Sequence, residues 1–166
     1  MKRANLIGSP GAGKSTFARR LHTMTGLPLY HLDNIWHLPD RTTISREEFG
    51  ARLGDILAKD RWIIDGNYSR TLELRVKHCD AVFLLDYPLE VCLAGVSARI
   101  GMKREDMPWI EHEFDEEFRQ FITEFPRTRL PNIYRLLEEY GQGKEIHIFR
   151  SREEADSYEY GSTEEN

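Results

Sequence analysis

The sequence is short of cysteine, of long apolar runs and of clustered basic residues, and each shortage narrows what the chain can be. Its two cysteines, Cys79 and Cys92, lie in or beside apolar segments, and neither belongs to a metal-spaced pair. That usage predicts reduced thiols in a cytoplasmic protein rather than a disulfide framework. No segment approaches the roughly eighteen consecutive apolar residues that a membrane span needs. The opening MKRANLIGSPGAGK has only a short apolar run before Gly8, so it lacks the h-region of a secretory signal. The net charge of −5 divides unevenly: residues 1–100 carry 14 basic and 11 acidic side chains, residues 101–166 carry 9 and 17. A nucleic-acid binder concentrates Lys and Arg on one face. With no basic run, the composition argues against such a surface, and the acidic half reads as solvated helix.

What is present fits one globular domain with a single core: 166 residues, 40% hydrophobic and 11% aromatic. Short apolar runs predict strands at 4–8, 28–32, 62–65, 81–86 and 145–149. The runs at 62–65 and 81–86 are continuous, as in strands covered on both faces. Amphipathic stretches predict helices over 14–24, 45–60, 89–100, 113–123 and 130–141. Ser45 with Glu48 reads as a capping box, and Gly141 and Gly143 close the last helix. Strands alternating with helices imply a parallel sheet and an α/β fold. Two connections, NIWHLPDRTTI (34–44) and IGMKREDMPWIEH (100–112), are long enough to serve as lids or binding segments. Both leave the C-terminal ends of strands, where ligands bind in such sheets. The tail EYGSTEEN (159–166) reads as disordered.

Gly8-Ser9-Pro10-Gly11-Ala12-Gly13-Lys14-Ser15 matches G-x-x-x-x-G-K-[ST], with Thr16 next, a strand before it and a helix after it. The glycines let the loop curl so that backbone N–H groups point inward at phosphate oxygens, and the helix adds its positive end. Lys14 then bridges β- and γ-phosphates and the Ser15 hydroxyl holds Mg²⁺. In WIIDGNYSR, a core strand ends on Asp65, and a buried carboxylate needs a positive partner. The acidic strand end beside a phosphate loop binds Mg²⁺ in proteins of this kind, so the metal is one candidate partner. A plain solvated carboxylate is the other reading.

The loop GSPGAGKST, the strand end IIDGNYSR and the segment LLDYPLEVCLAGVSAR resemble adenylate-kinase-like nucleoside and small-molecule kinases. With LDNIWHLP and FPRTRLPNIYRLLEEYG, the chain is similar to the bacterial DNA topology modulation proteins, the FlaR-related group, from about residue 3 to 158. The resemblance implies a P-loop NTPase fold with a five-stranded parallel sheet flanked by helices. It further implies one domain over 1–158, an acceptor-binding segment near 33–60 and a short lid near 100–125. It carries Asp65 onto the Mg²⁺ role, and Arg70 and Arg99 onto phosphate contacts. Asn67 and Tyr68 fall where this motif positions the acceptor, with Ser69 replacing a proline. Gly95 stands where adenylate kinases have an arginine that stacks on the base, and Arg150, Ser151 and Arg152 stand where such kinases wrap the adenine ring. Arg150 is the expected nucleotide contact among the three.

Asp33 follows the second strand, where related kinases orient an acceptor hydroxyl; an ordinary Asp-Asn turn is the competing reading. His31, Asp33 and His37 form no complete metal set. Trp36 and Trp109 each sit in a long connection, able either to clamp a planar acceptor or to anchor a lid. Arg127 and Arg129 suit closure on a phosphoryl group, with Arg127 the expected catalytic one, or surface ion pairs. Three functions fit: an ATP- and Mg²⁺-dependent kinase acting on a nucleotide or hydroxylated metabolite, an NTP-binding regulator acting through a partner, and a DNA-associated factor. The two lid-like connections and the arginine set favour the kinase.

Overall fold

A computed structural model describes residues 1–161. Five parallel strands, β1 (Arg3–Gly8), β2 (Leu29–His31), β3 (Trp62–Asp65), β4 (Ala81–Leu85) and β5 (Glu145–Phe149), form one sheet in the order β2-β3-β1-β4-β5. β1 is central, with β2 and β3 on one side and β4 and β5 on the other. The winding therefore changes side at β1, which opens a crevice beyond the carboxyl ends of the strands.

The continuous apolar strands are buried on both faces, as their pattern predicts. Ile7, Trp62, Ile64, Val82 and Leu84 meet helices α3 (Arg46–Leu57), α4 (Ser69–His78) and α7 (Leu130–Tyr140). Their neighbours Leu6, Ile63, Phe83 and Leu85 meet α1 (Lys14–Thr25), α5 (Leu89–Arg99), α6 (Glu116–Thr128) and the short α8 (Arg152–Asp156). The alternation follows from the two-residue strand period.

Four helices differ from the sequence expectation. Residues 32–36 form a turn of helix, α2 (Leu32–Trp36), where a strand end and loop were expected. α4 was missed because its inner stripe, Leu72, Arg75 and Val76, carries a charge in the middle. α6 starts later than expected because Asp115 caps it, its carboxylate accepting from the Phe118 N–H at 2.7 Å, and it continues through Pro126. α8 is too short for periodicity to show; the Ser151 hydroxyl caps it by accepting from the Glu154 N–H at 3.2 Å. Ser45 does cap α3, accepting from the Glu48 N–H at 3.0 Å. Tyr158 packs against Phe17, Phe83, Phe149 and His147. Residues 162–166, most of the expected tail, lie outside the described residues.

The phosphate loop and α5 touch backbone to backbone. A Cβ on Gly11, whose φ is 80°, would lie 2.1 Å from the Cys92 carbonyl oxygen, and one on Gly95 would lie 2.1 Å from the Gly11 carbonyl oxygen. Neither contact can be relieved by a rotamer change. Gly95→Ala is therefore expected to cost about 2–3 kcal/mol in urea unfolding. An unchanged midpoint would show that loop and helix are not in this contact.

Candidate active site

The site is built at the carboxyl ends of β1 and β3. In the register of the sheet His31 lies beside Asp65, and Asp65 beside Leu6. Neighbours in register project from the same face, so the His31 ring meets the Asp65 carboxylate, Nδ1 donating to Oδ2 at 2.7 Å. The Ser15 hydroxyl approaches the same Oδ2 at 2.9 Å. Asp65, 4% exposed, thus has a neighbouring imidazole as one partner, a role the sequence reading did not consider for His31.

Behind this pair, Arg75 is fully buried. Its Nη1 donates to Asn5 Oδ1 at 2.8 Å and to the Gly66 carbonyl at 3.0 Å, its Nη2 to the Asn67 carbonyl, and its Nε to Thr71 Oγ1 at 3.1 Å. The Asn67 side chain accepts from the Gly8 N–H at 3.1 Å, so Arg75 fixes the turn that holds the first glycine of the phosphate loop. Burial pulls the Arg75 guanidinium down to about 10, opposed by the Asp65 charge, which leaves it protonated at neutral pH. Sequence reasoning missed Arg75, although an arginine interrupting the stripe between Leu72 and Val76 was a visible signal.

Pro10, Gly11, Gly13, Lys14, Ser15 and Thr16 line a cleft of about 1180 Å³. The Lys14 ammonium donates to the Ser9 carbonyl at 3.3 Å, across the loop. Burial lowers its pKa, partly offset by the carboxylates of Asp65, Asp33 and Asp106. In all, nine basic side chains and five carboxylates line the cleft, in a chain whose net charge is −5. The Ser15 hydroxyl and the Asp65 carboxylate, 2.9 Å apart, are hard oxygen donors of the kind that suits Mg²⁺ beside a phosphate. Among the described residues no group of three or more His, Cys, Asp or Glu side chains is placed to hold a metal by itself.

The acceptor-side residues come from α2, α3 and α4. Asp33 Oδ1 accepts from the Tyr68 hydroxyl at 2.6 Å. Burial first, and then the Asp33 charge, raise the Tyr68 pKa, so its proton stays in place as a fixed donor. Tyr68 itself adopts a left-handed backbone, φ 34°, at the start of α4. Trp36 meets Phe49 and Tyr68 edge-on, with ring centroids 5.5 and 6.4 Å away, and also lines the cleft. Trp109 does not line it: its ring packs against His37 at 5.1 Å, with Arg41 5.9 Å away. The two tryptophans do not form a clamp, and Trp109 ties the 100–115 connection to the 37–43 loop.

That connection carries a further residue the sequence reading overlooked. Asp106, 7% exposed, accepts from Arg104 Nε and Nη2, both at 3.0 Å, and its Oδ2 lies 3.0 Å from the Ser15 hydroxyl. Burial alone would raise its pKa, but Arg104's hydrogen bonds and charge outweigh this and hold it low. Asn34 donates to the Glu105 carbonyl at 2.6 Å, tying the same segment to α2.

The expected arginines separate. Arg70 and Arg99 line the cleft, and Arg99 Nε is buried without a hydrogen-bond partner. Arg127 does not line it: its side chain is 78% exposed and pairs with Glu124 at 3.3 Å, because its place on α6 faces solvent. Arg129, two residues on, enters the cleft instead, donating to Ser69 Oγ at 3.1 Å. Arg150 also lies outside, pairing with Asp86 at 3.0 Å; Arg152 is the residue that reaches the cleft.

No family model matches the chain. In sequence it is similar to the adenylate kinases of Thermotoga petrophila and Thermotoga maritima, 32% identical to each over 91 residues. That stretch is 53% of this chain and spans 40% of the length of those enzymes. In structure it is similar to a shikimate kinase from Acinetobacter baumannii in complex with shikimate, with a TM-score of 0.62 at 17% identity over 94% of this chain and 89% of that one. The fold is therefore that of the adenylate-kinase-like P-loop NTPases, with the five-stranded parallel sheet flanked by helices that the motifs imply.

Proposed function

We propose that this protein transfers the γ-phosphoryl group of Mg-ATP to a small hydroxylated acceptor that carries a negative charge. The observation that carries the reading is that Lys14, Ser15 and Asp65 share one basic cleft with Asp33, Trp36 and Tyr68. A phosphate loop alone suits any nucleotide switch. Here the same cleft extends over residues of α2, α3 and α4, more lining than binding and hydrolysing a nucleotide needs, which counts against a regulator acting through a partner.

In this reading the loop's backbone N–H groups and Lys14 hold the triphosphate. Mg²⁺, held through Ser15 and Asp65, would offset charge on the phosphate oxygens. Arg99 and Arg129 would meet the transferring group, and Arg70 together with Arg46 of α3, which also lines the cleft, would hold the acceptor's anionic part. Asp33 uses Oδ1 for the Tyr68 hydroxyl, which leaves Oδ2 to accept from the acceptor hydroxyl and aim its oxygen. Phosphoryl transfer depends on positioning and charge neutralisation more than on a strong base, so aiming is the larger part of that role. The motifs LDNIWHLP and FPRTRLPNIYRLLEEYG support placing the chain in the topology-modulation (FlaR-related) branch of these kinases.

Asp33→Asn should lower turnover about 10- to 100-fold while ATP affinity stays within twofold. Full activity in that variant would remove Asp33 from the acceptor site. The reading as a whole is tested by ADP release from Mg-ATP across nucleoside monophosphates, sugar phosphates and hydroxylated carboxylic acids. A rise with one acceptor class is expected, absent from Lys14→Ala. Slow release that no acceptor accelerates would favour the regulator.

A further inference from the structure

We propose that Asp106 is a metal ligand carried by the 100–112 connection, and that it makes closure of this connection over the phosphate loop conditional on the metal. The proposal rests on the kinase reading above. To the Mg²⁺ position at Ser15 and Asp65 it adds a carboxylate from outside both motifs, 91 residues beyond Ser15 in the chain. Three oxygens meet there: the Ser15 hydroxyl lies 2.9 Å from Asp65 Oδ2 and 3.0 Å from Asp106 Oδ2. One hydroxyl proton can serve only one of the two carboxylates. Both carboxylates are buried, and two such charges brought to one hydroxyl repel each other unless a cation lies between them. The spacing also suits metal ligands. Adjacent oxygens around octahedral Mg²⁺, each roughly 2.0–2.1 Å from the ion, lie about 2.8–3.0 Å apart. A cation can thus replace the hydroxyl proton with little movement of the three oxygens. One or two carboxylates, completed by nucleotide phosphates, are the donors Mg²⁺ takes in such sites.

The connection is arranged to present Asp106. Arg104 grips both carboxylate oxygens, Nε on Oδ1 and Nη2 on Oδ2, each at 3.0 Å, which fixes the carboxylate plane and aims Oδ2 at Ser15. The neighbouring residues are tied down as well. Asn34 of α2 donates to the Glu105 carbonyl at 2.6 Å, the Glu105 side chain pairs with Arg19 of α1 at 3.7 Å, and Trp109 packs on His37. A nucleotide without metal would set its phosphates against Asp106 with no cation between them, and the like charges would hold the connection away. Asp106 thus separates metal-bound from metal-free nucleotide.

The test is calorimetric titration of the full chain with the non-hydrolysable β,γ-imido analogue of ATP, in Mg²⁺ and in EDTA. Parent, Asp106→Asn, Asp106→Cys and Ser15→Ala are compared, with thermal unfolding to confirm that each is folded. The expected ratio of affinities, Mg²⁺ over EDTA, is about 10- to 100-fold lower in Asp106→Asn, with the metal-free analogue bound no more weakly than by the parent. Asp106→Cys offers a softer ligand, so Cd²⁺ but not Mg²⁺ should restore its ratio. An unchanged ratio in Asp106→Asn, with both forms weakened equally, would leave Asp106 a strut that holds the connection in place. A ratio that falls there but that Cd²⁺ does not restore in Asp106→Cys would assign the effect to charge at a distance. Either result overturns the proposal. Ser15→Ala tests the metal position by itself: if it lowers the ratio and Asp106→Asn does not, only the Asp106 ligand fails. A parent with no preference for the metal would overturn the Ser15 and Asp65 position, and the proposal with it.

Discussion

Lys14→Ala should lower acceptor-dependent phosphoryl transfer by about 10²–10³-fold and leave the fold intact or more stable. The unusual half of this expectation is the stability. Lys14 is half-buried, and no carboxylate lies within ion-pair distance of its ammonium among the described residues; its hydrogen bond goes to the neutral Ser9 carbonyl. Burial therefore disfavours its charged form, and Asp65, Asp33 and Asp106 offset that only from a distance. A charge held at this cost is strain kept for function. Thermal unfolding and turnover measured on one preparation check both halves. A variant that lost stability along with activity would make Lys14 a structural residue.

Arg75→Met should cost about 3–5 kcal/mol of stability. The guanidinium serves Asn5 Oδ1, the Gly66 and Asn67 carbonyls and Thr71 Oγ1 from a position with no solvent exposure. Methionine fills much of the volume but leaves buried acceptors without donors. The loss should also reach the site, because the Asn67 side chain holds Gly8. ATP affinity should therefore fall even where the variant remains folded. Arg75→Lys should recover little, since one ammonium cannot span acceptors on β1, in the turn after β3 and on α4. Urea unfolding measures the first effect; a shift below about 1 kcal/mol would mean that water or neighbours replace the guanidinium.

These two residues also mark what the sequence could disclose. Lys14 is legible because it belongs to a contiguous motif whose geometry is local: strand, glycine-rich turn, helix. Asp65 is legible for the same reason, and the strand runs at 62–65 and 81–85 because burial on both faces leaves an unbroken apolar signature. Arg75 was hidden because its partners come from β1 and from the turn after β3, far apart in sequence, and its charge broke the periodicity that would have announced α4. Asp106 was hidden in a polar connection where nothing local sets it apart from Glu105 or Glu111. Its meeting with Ser15 depends on the path of the whole segment over the sheet. The arginines show the same limit at finer scale. Arg127 and Arg129 share a motif, as do Arg150 and Arg152, and a two-residue step turns one of each pair to solvent and the other into the cleft. Composition pointed away from a basic surface, and the concentrated positive charge lies inside a cleft that net charge does not register.

The central claim is transfer to an acceptor rather than to water, and following the γ-phosphorus of labelled ATP tests it most directly. After turnover with the acceptor class that accelerates ADP release, the account predicts the label covalently attached to that acceptor, in amounts matching the ADP formed. Label recovered only as inorganic phosphate, at a rate no acceptor changes, would contradict it.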